Sequence, residues 1–138
     1  MKILVDSREQ KPYQFENSEE VALETGDYTC EQVNTAIERK TKPDFLKSIT
    51  QDRERFKKEC RRAKEFDRPM AILVEAPREE LEEGDYKSEA HPNSVIGTIE
   101  SWQESYNIEF IFEKNRETAK KRAKALLKSW SDETKFEF

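Results

Sequence analysis

The sequence is poor in the residues that hold soft metals and disulfides: one histidine and two cysteines in 138 residues. Cys30 and Cys60 form neither a CxxC pair nor a cluster with His91, which removes zinc at ordinary ligand spacing. Two isolated cysteines predict buried, reduced thiols rather than a disulfide. No apolar run approaches the ~20 residues of a membrane-spanning helix, and the N-terminus lacks the apolar core of a signal peptide. The expected compartment is therefore the cytoplasm, with nucleoid association, or the nucleus in a eukaryote. Hydrophobic residues are also scarce, at 34% against 40% charged. Spread evenly, that balance would predict disorder. It is concentrated instead in short apolar runs, "KILVD", "MAILVEA" and "IEFIF", which read as buried strands. The expectation is one charged α/β domain over residues 1–138, with no internal repeat or low-complexity linker.

The net charge of −5 weighs against a nucleic-acid partner, whose phosphates favour basic surfaces. Its distribution points the other way. Glu16 to Glu31 contains acids and no lysine or arginine, and Glu75 to Glu89 is mostly acidic. Between them, Lys47 to Arg68 is basic, and Lys114 to Lys128 is basic again. Such runs are either solvated helix faces or phosphate-tracking surfaces. Arg55, Lys58 and Arg62 are the candidate phosphate contacts in the first run.

Along the chain, the pattern predicts a strand at Lys2 to Asp6, then a connection through the acidic stretch after Lys11-Pro12. A strand element follows from Val21 to Cys30, broken at Gly26-Asp27, and another strand from Thr35 to Lys40. Helical spacing predicts Pro43 to Ile49 and Gln51 to Phe66, and Met70 to Glu75 is a buried strand. Ala76 to Pro92 reads as an acidic loop. Val95, Ile99, Trp102 and Tyr106 predict a helix, Ile108 to Phe112 a last strand, and Asn115 the cap of a final helix. That helix carries Ala119, Ala123, Leu126, Leu127 and Trp130 on one stripe, which packs on the sheet or forms the centre of a homodimer. The fold class expected is a mixed β-sheet flanked by α-helices.

The chemistry concentrates in "GDY" and "ERKTKPD". Residues two apart in a strand share a face, so Glu38 and Lys40 point one way and Arg39 the other. If the strand with Asp27 pairs with this one, Asp27 and Glu38 converge on one divalent cation, with waters and a carbonyl completing an oxygen shell. That donor set suits Mg²⁺. Lys40 beside them would hold or help deprotonate an attacking water. Each part has a plainer reading: "GD" as a turn, "ERK" as a solvated strand edge, Thr41 and Asp44 as a helix capping box, and Arg39 as one half of an internal ion pair.

Together these pieces resemble the GD…ERKxxxD signature of the XPF-type structure-specific endonucleases, within the restriction-endonuclease-like group. "ILVDSRE" is similar to that family's first strand and "MAILVEA" to the strand after its long helix, all in the expected order. The resemblance implies a restriction-endonuclease-like α/β fold and a nuclease of DNA repair that cuts branched, flapped or forked DNA with Mg²⁺, or Mn²⁺ in its place. It implies Asp27 and Glu38 as metal ligands, Asp6 and Glu9 as further acids of the metal site, and Lys40 as the catalytic lysine. Arg8 and Arg39 would be supporting positions, Arg8 toward DNA, and Asp44 the motif's last acid. It also implies a homodimer.

The departure is that no helix-hairpin-helix module or helicase is visible in the sequence, which leaves room for a separate DNA-binding partner. Two other readings stay open: a non-catalytic DNA-binding or scaffold subunit, and a nuclease of single strands or RNA.

Overall fold

The computed structural model describes residues 1–134. Six strands form one mixed sheet in the order β2-β1-β3-β4-β5-β6. They are β1 (Ile3–Asp6), β2 (Ser18–Val21), β3 (Tyr28–Cys30), β4 (Ile37–Thr41), β5 (Met70–Glu75) and β6 (Ile108–Phe112). β3 runs antiparallel to both β1 and β4, whereas β1 and β2 are parallel, as are β4, β5 and β6. The helices are α1 (Lys42–Ser48), α2 (Arg53–Arg62), α3 (Arg78–Glu82), α4 (Pro92–Ser105) and α5 (Arg116–Thr134). A single 3₁₀ turn, Ala63–Glu65, extends α2.

The sheet has a core on each face, and β5 feeds both. Met70, Ile72 and Val74 point to one side, where Phe45 and Leu46 of α1, Phe56 and Cys60 of α2 and Ile99 and Trp102 of α4 close over them. Ala71 and Leu73 point to the other, against Ala119, Ala123 and Leu127 of α5. A strand covered on both faces is a continuous apolar run rather than an alternating one, and "MAILV" is that run. β4 continues the alternation with different chemistry: Ile37 joins the α5-side core, in register with Ala71. Glu38 and Lys40 therefore face α2, beside Ile72 and Val74.

The ends of the helices follow their sequence signals. Thr41 caps α1, its hydroxyl accepting the Asp44 N–H at 3.2 Å. Asn115 and Thr118 cap α5 reciprocally, at 2.9 and 3.3 Å. His91 caps α4 by accepting the Asn93 N–H on Nδ1, which accounts for the lone histidine. Cys30 and Cys60 are free and buried.

Three expectations need correction. The acidic connection before Val21 contains β2, an edge strand whose Ser18, Glu19 and Glu20 are exposed. Val21 belongs to that strand, so only Tyr28–Cys30 remains of the element read from Val21 to Cys30. The loop read from Ala76 to Pro92 contains the short helix α3, anchored by the fully buried Leu81. Of the two readings of the α5 stripe, packing on the sheet is the one the fold uses. Leu127 and Trp130 are buried and Leu126 is packed against the same core, so none of them is free to centre a homodimer.

Among the described residues the only exposed large hydrophobic is Met1, and no helix is long and apolar enough to cross a membrane.

Candidate active site

Asp27 is placed by main-chain bonds on two sides. Its carbonyl accepts the Asp6 N–H at 2.8 Å, and its own N–H donates to the Ile37 carbonyl at 2.7 Å. Gly26 makes this approach possible: its φ is +85°, and a Cβ there would lie 2.5 Å from the Ala36 Cβ. Only glycine meets both conditions. The Asp27 carboxylate then accepts the Arg39 main-chain N–H at 2.8 Å, which points it toward the α2 side of β4.

Glu38 lies there, buried, with its carboxyl beside that of Asp27. Burial, the Asp27 charge and that of Glu59 push the Glu38 carboxyl well above the usual carboxylate range, against the pull of Lys40. Burial and the Glu9 charge push Asp27 up to about 6. The Lys40 ammonium is 3.5 Å from Glu38 Oε2 and sits 4.9 Å from the centre of the Phe56 ring. Asp6 is close by and almost fully buried. Its oxygens accept from Arg8 Nε at 3.1 Å, Arg8 Nη2 at 3.4 Å and the Leu23 N–H at 3.0 Å.

Asp6, Asp27 and Glu38 line a cleft of about 290 Å³. Arg55, Lys58 and Arg62 of α2 line it from the opposite side, and Arg8 stands at its edge. All three α2 cations nominated from the sequence thus face the acids. Sequence reasoning passed over Glu24 and Glu59, which line the same cleft. The signal for Glu59 was present, since 55, 58, 59 and 62 fall on one helix face. Glu24 sits in a run of acids that offers no means of choosing among them.

Three nominated residues are elsewhere. Glu9, expected among the metal-site acids, is 3.6 Å from Arg39 Nη1 and accepts the Tyr28 hydroxyl at 3.4 Å. The tight turn closed by the Glu9 N–H on the Asp6 carbonyl carries it away from the cleft. The Arg39 side chain is on the α5 face as well. It grips Glu75 through Nε at 2.8 Å and Nη2 at 3.1 Å, and lies 5.4 Å from the Tyr13 ring centre. The internal ion pair expected for Arg39 is made with Glu75, at the end of β5. Tyr13 Oη donates to Glu75 at 2.5 Å, closing the network. Arg39 touches the site only through its main chain. Asp44 is exposed in the first turn of α1 and outside the cleft, as the capping reading requires.

Among the described residues no group of three or more acids, histidines or cysteines is arranged to hold a metal ion. The two-acid pair nevertheless fits a hard divalent cation. Glu38 is buried and Asp27 partly buried, and repulsion from the Asp27 charge raises the proton affinity of Glu38. A proton relieves that repulsion here, and a cation would relieve it equally. Mg²⁺ takes one or two carboxylates and retains waters, so two ligands suffice.

The family model described as the ERCC4 domain matches residues 5–123. XPF from Aeropyrum pernix is 20% identical, with a TM-score of 0.74 over 95% of this chain and 65% of that one. XPF from Aeropyrum pernix in complex with DNA is 22% identical, with a TM-score of 0.69 over 97% of this chain and 65% of that one. The chain thus spans about 65% of the length of those solved chains. These likenesses show the restriction-endonuclease-like fold. No curated protein sequence matches this chain.

Proposed function

We propose that this chain, which belongs to the ERCC4 domain family, is a divalent-metal-dependent DNA endonuclease that hydrolyses phosphodiester bonds at branched, flapped or forked DNA. The observation that carries this reading is the meeting of the Asp27 carboxyl with the buried Glu38 carboxyl, with Lys40 3.5 Å from Glu38, in a cleft that Arg55, Lys58 and Arg62 also line. DNA as the substrate is supported by family membership and by the related fold solved with DNA.

Asp27 and Glu38 would hold the cation, Mg²⁺ or Mn²⁺, which supplies polarisation of a water and charge compensation at phosphorus. Every other role falls to this chain's side chains. Lys40, its ammonium held over the Phe56 ring, orients the attacking water. Glu38 is the carboxyl in position to exchange a proton with that water. Arg55, Lys58 and Arg62 seat the neighbouring phosphates. Asp6, held by Arg8 and the Leu23 N–H, lines the cleft beside them. Residues 1–138 are taken as a single nuclease domain. A separate DNA-binding partner would provide the grip on duplex arms that the longer solved chains have room for, and the expected setting is the cell's DNA, in nucleoid or nucleus. A homodimer, if formed, requires a surface other than the buried stripe of α5.

The test is a cleavage panel of single-stranded, duplex, flap and fork DNA in Mg²⁺, in Mn²⁺ and in EDTA. Incision of flap or fork DNA with either metal, and none in EDTA, is the expected result. A protein that binds all four and cuts none is the scaffold subunit instead. Incision of single strands alone would replace the branched substrate.

A further inference from the structure

A second pocket, of about 440 Å³, adjoins the cleft. Glu24 and Arg62 line both spaces, and the bond from Arg62 Nε to Thr25 Oγ1 at 3.3 Å stands on the boundary. The pocket opens between α2 with its 3₁₀ extension and the segment that joins β3 to β4.

That segment is built rather than loose. β3 and β4 share a single register pair, Tyr28 with Ile37, so the chain between them stands off the sheet. Gln32 turns it with a φ of 69°. Thr29 Oγ1 then donates to the Thr35 carbonyl at 2.6 Å, Thr35 Oγ1 to the Pro69 carbonyl at 3.1 Å, and the Asp67 N–H to the Asn34 carbonyl at 3.1 Å. The walls are apolar, from Leu23, Val33, Ala36 and Phe66. Val33 and Phe66 are each packed against a different core, so neither is free to fold into the space. Arg61, Arg62 and Lys64 stand on the rim against Glu24 and Glu65. The balance is positive in a chain whose net charge is −5.

We propose that this pocket takes one unstacked nucleotide of the DNA strand whose phosphate lies in the cleft. The proposal rests on the endonuclease reading for its phosphate. The volume falls within the usual range for a small-molecule site, and a base pair with its two backbones could not enter it. An aromatic ring with aliphatic neighbours suits the face of a base, and cations at the rim suit the phosphate behind it. Thr29 and Thr35 already donate their hydroxyl protons to carbonyls, so these two side chains read no acceptor on the base. With Leu23, Val33, Ala36 and Phe66 forming the walls, the main grip is stacking, tolerant of base identity. Such a pocket selects distorted DNA by chemistry: an unpaired nucleotide enters at little cost, whereas a paired one must first be unstacked.

The experiment measures equilibrium binding of the whole chain to forked DNA in EDTA, without cleavage. Each nucleotide near the branch is replaced in turn by an abasic tetrahydrofuran. One position should weaken binding about tenfold, the scale of one lost base–aromatic stack. Phe66→Ala should lose the same factor on intact DNA and nothing further when that position is abasic. Leu23→Ala, which keeps the main-chain bonds of residue 23, repeats the comparison if Phe66→Ala does not fold. Binding with no sensitive position, or full loss by the variant on abasic DNA, overturns the subsite. A sensitive position without any cleavage in Mg²⁺ or Mn²⁺ overturns the endonuclease reading alone. DNA that is cut but shows no sensitive position overturns the subsite alone, and a chain that binds no DNA overturns both.

Discussion

Arg39 donates its main-chain N–H to the Asp27 carboxylate at 2.8 Å, while its guanidinium holds Glu75 at 2.8 Å on the other face of the sheet. One residue thus links the reacting side of β4 to the structural side. Both side chains of the Arg39–Glu75 pair are more than nine-tenths buried. Glu75→Ala leaves a guanidinium in the interior with its bidentate partner gone, a change that costs about 3–5 kcal/mol for buried pairs. Urea denaturation should show a loss of that size. A loss below about 1 kcal/mol would mean that Glu9 and water compensate, and that the pair is not what ties β4 to β5.

Lys40→Ala removes the cation beside the carboxyl pair and leaves the pair itself. Cleavage should fall by at least ~10²-fold, the scale of one positioned catalytic group, with DNA affinity nearly unchanged. Asp27→Asn would alter the proposed metal site instead, so raising Mn²⁺ should recover part of its loss. Single-turnover rates separate the two. Equal rates for Lys40→Ala and the parent chain would end the assignment of this strand.

Stability should fall as pH rises. Burial and neighbouring charge push Asp27 up to about 6, so between its unfolded value near 4 and that figure the folded state binds the extra proton. With more protons on the folded state, the slope of unfolding free energy against pH is negative through that window. Above it the full penalty remains. In EDTA, Tm should therefore decline from pH 4.5 to pH 7, apart from the contributions of other groups. Asp27→Asn should remove this part of the decline and melt above the parent at pH 7.5. Millimolar Mg²⁺ should raise the parent's Tm at that pH and leave the variant's unmoved, since a ligand stabilises only the state that binds it. A parent indifferent to both Mg²⁺ and Mn²⁺ would remove the cation from the pair.

Replacing Arg55, Lys58 and Arg62 together with alanine should weaken DNA binding and flatten its salt dependence. Each lost phosphate contact should lower the slope of log K against log salt by roughly 0.7–0.9. Arg55 also bonds Asp52 at 2.9 Å and Arg62 bonds Thr25 at 3.3 Å, so folding should be checked by circular dichroism. An unchanged slope would return this helix to a solvated face.

The parts of the fold legible in the sequence are those where side chains carry the information. "MAILV" had to be covered on both faces, and "IERK" had to divide its charges between faces, because strand side chains alternate. Thr41 and Asn115 marked helix starts for the same local reason. β2 was hidden because an edge strand is held by main-chain bonds, and Ser18, Glu19 and Glu20 need bury nothing. α3 was hidden because five residues with one buried leucine offer no period to read. The site followed the same division. Asp27, Glu38 and Lys40 could be grouped from spacing, but Glu75 as the partner of Arg39 is a fact of β4–β5 pairing. The turn that carries Glu9 away from the cleft likewise has no signature in "DSREQ".

The alternation of β4 makes the strand a reading frame. In register, Glu38 opens to the cleft and Lys40 shares its face, while Arg39 is sealed behind them, in register with Leu73. One residue inserted inside β4 would transpose these destinations for every position after it. Lysine would meet the tyrosines and Glu75, and the guanidinium would enter the acid cleft. Point substitutions here degrade one function at a time, but a frameshift of the strand inverts inside and outside together. Length variation among relatives should accordingly be absorbed before Ile37 or after Thr41, in the connections, and should be absent between them.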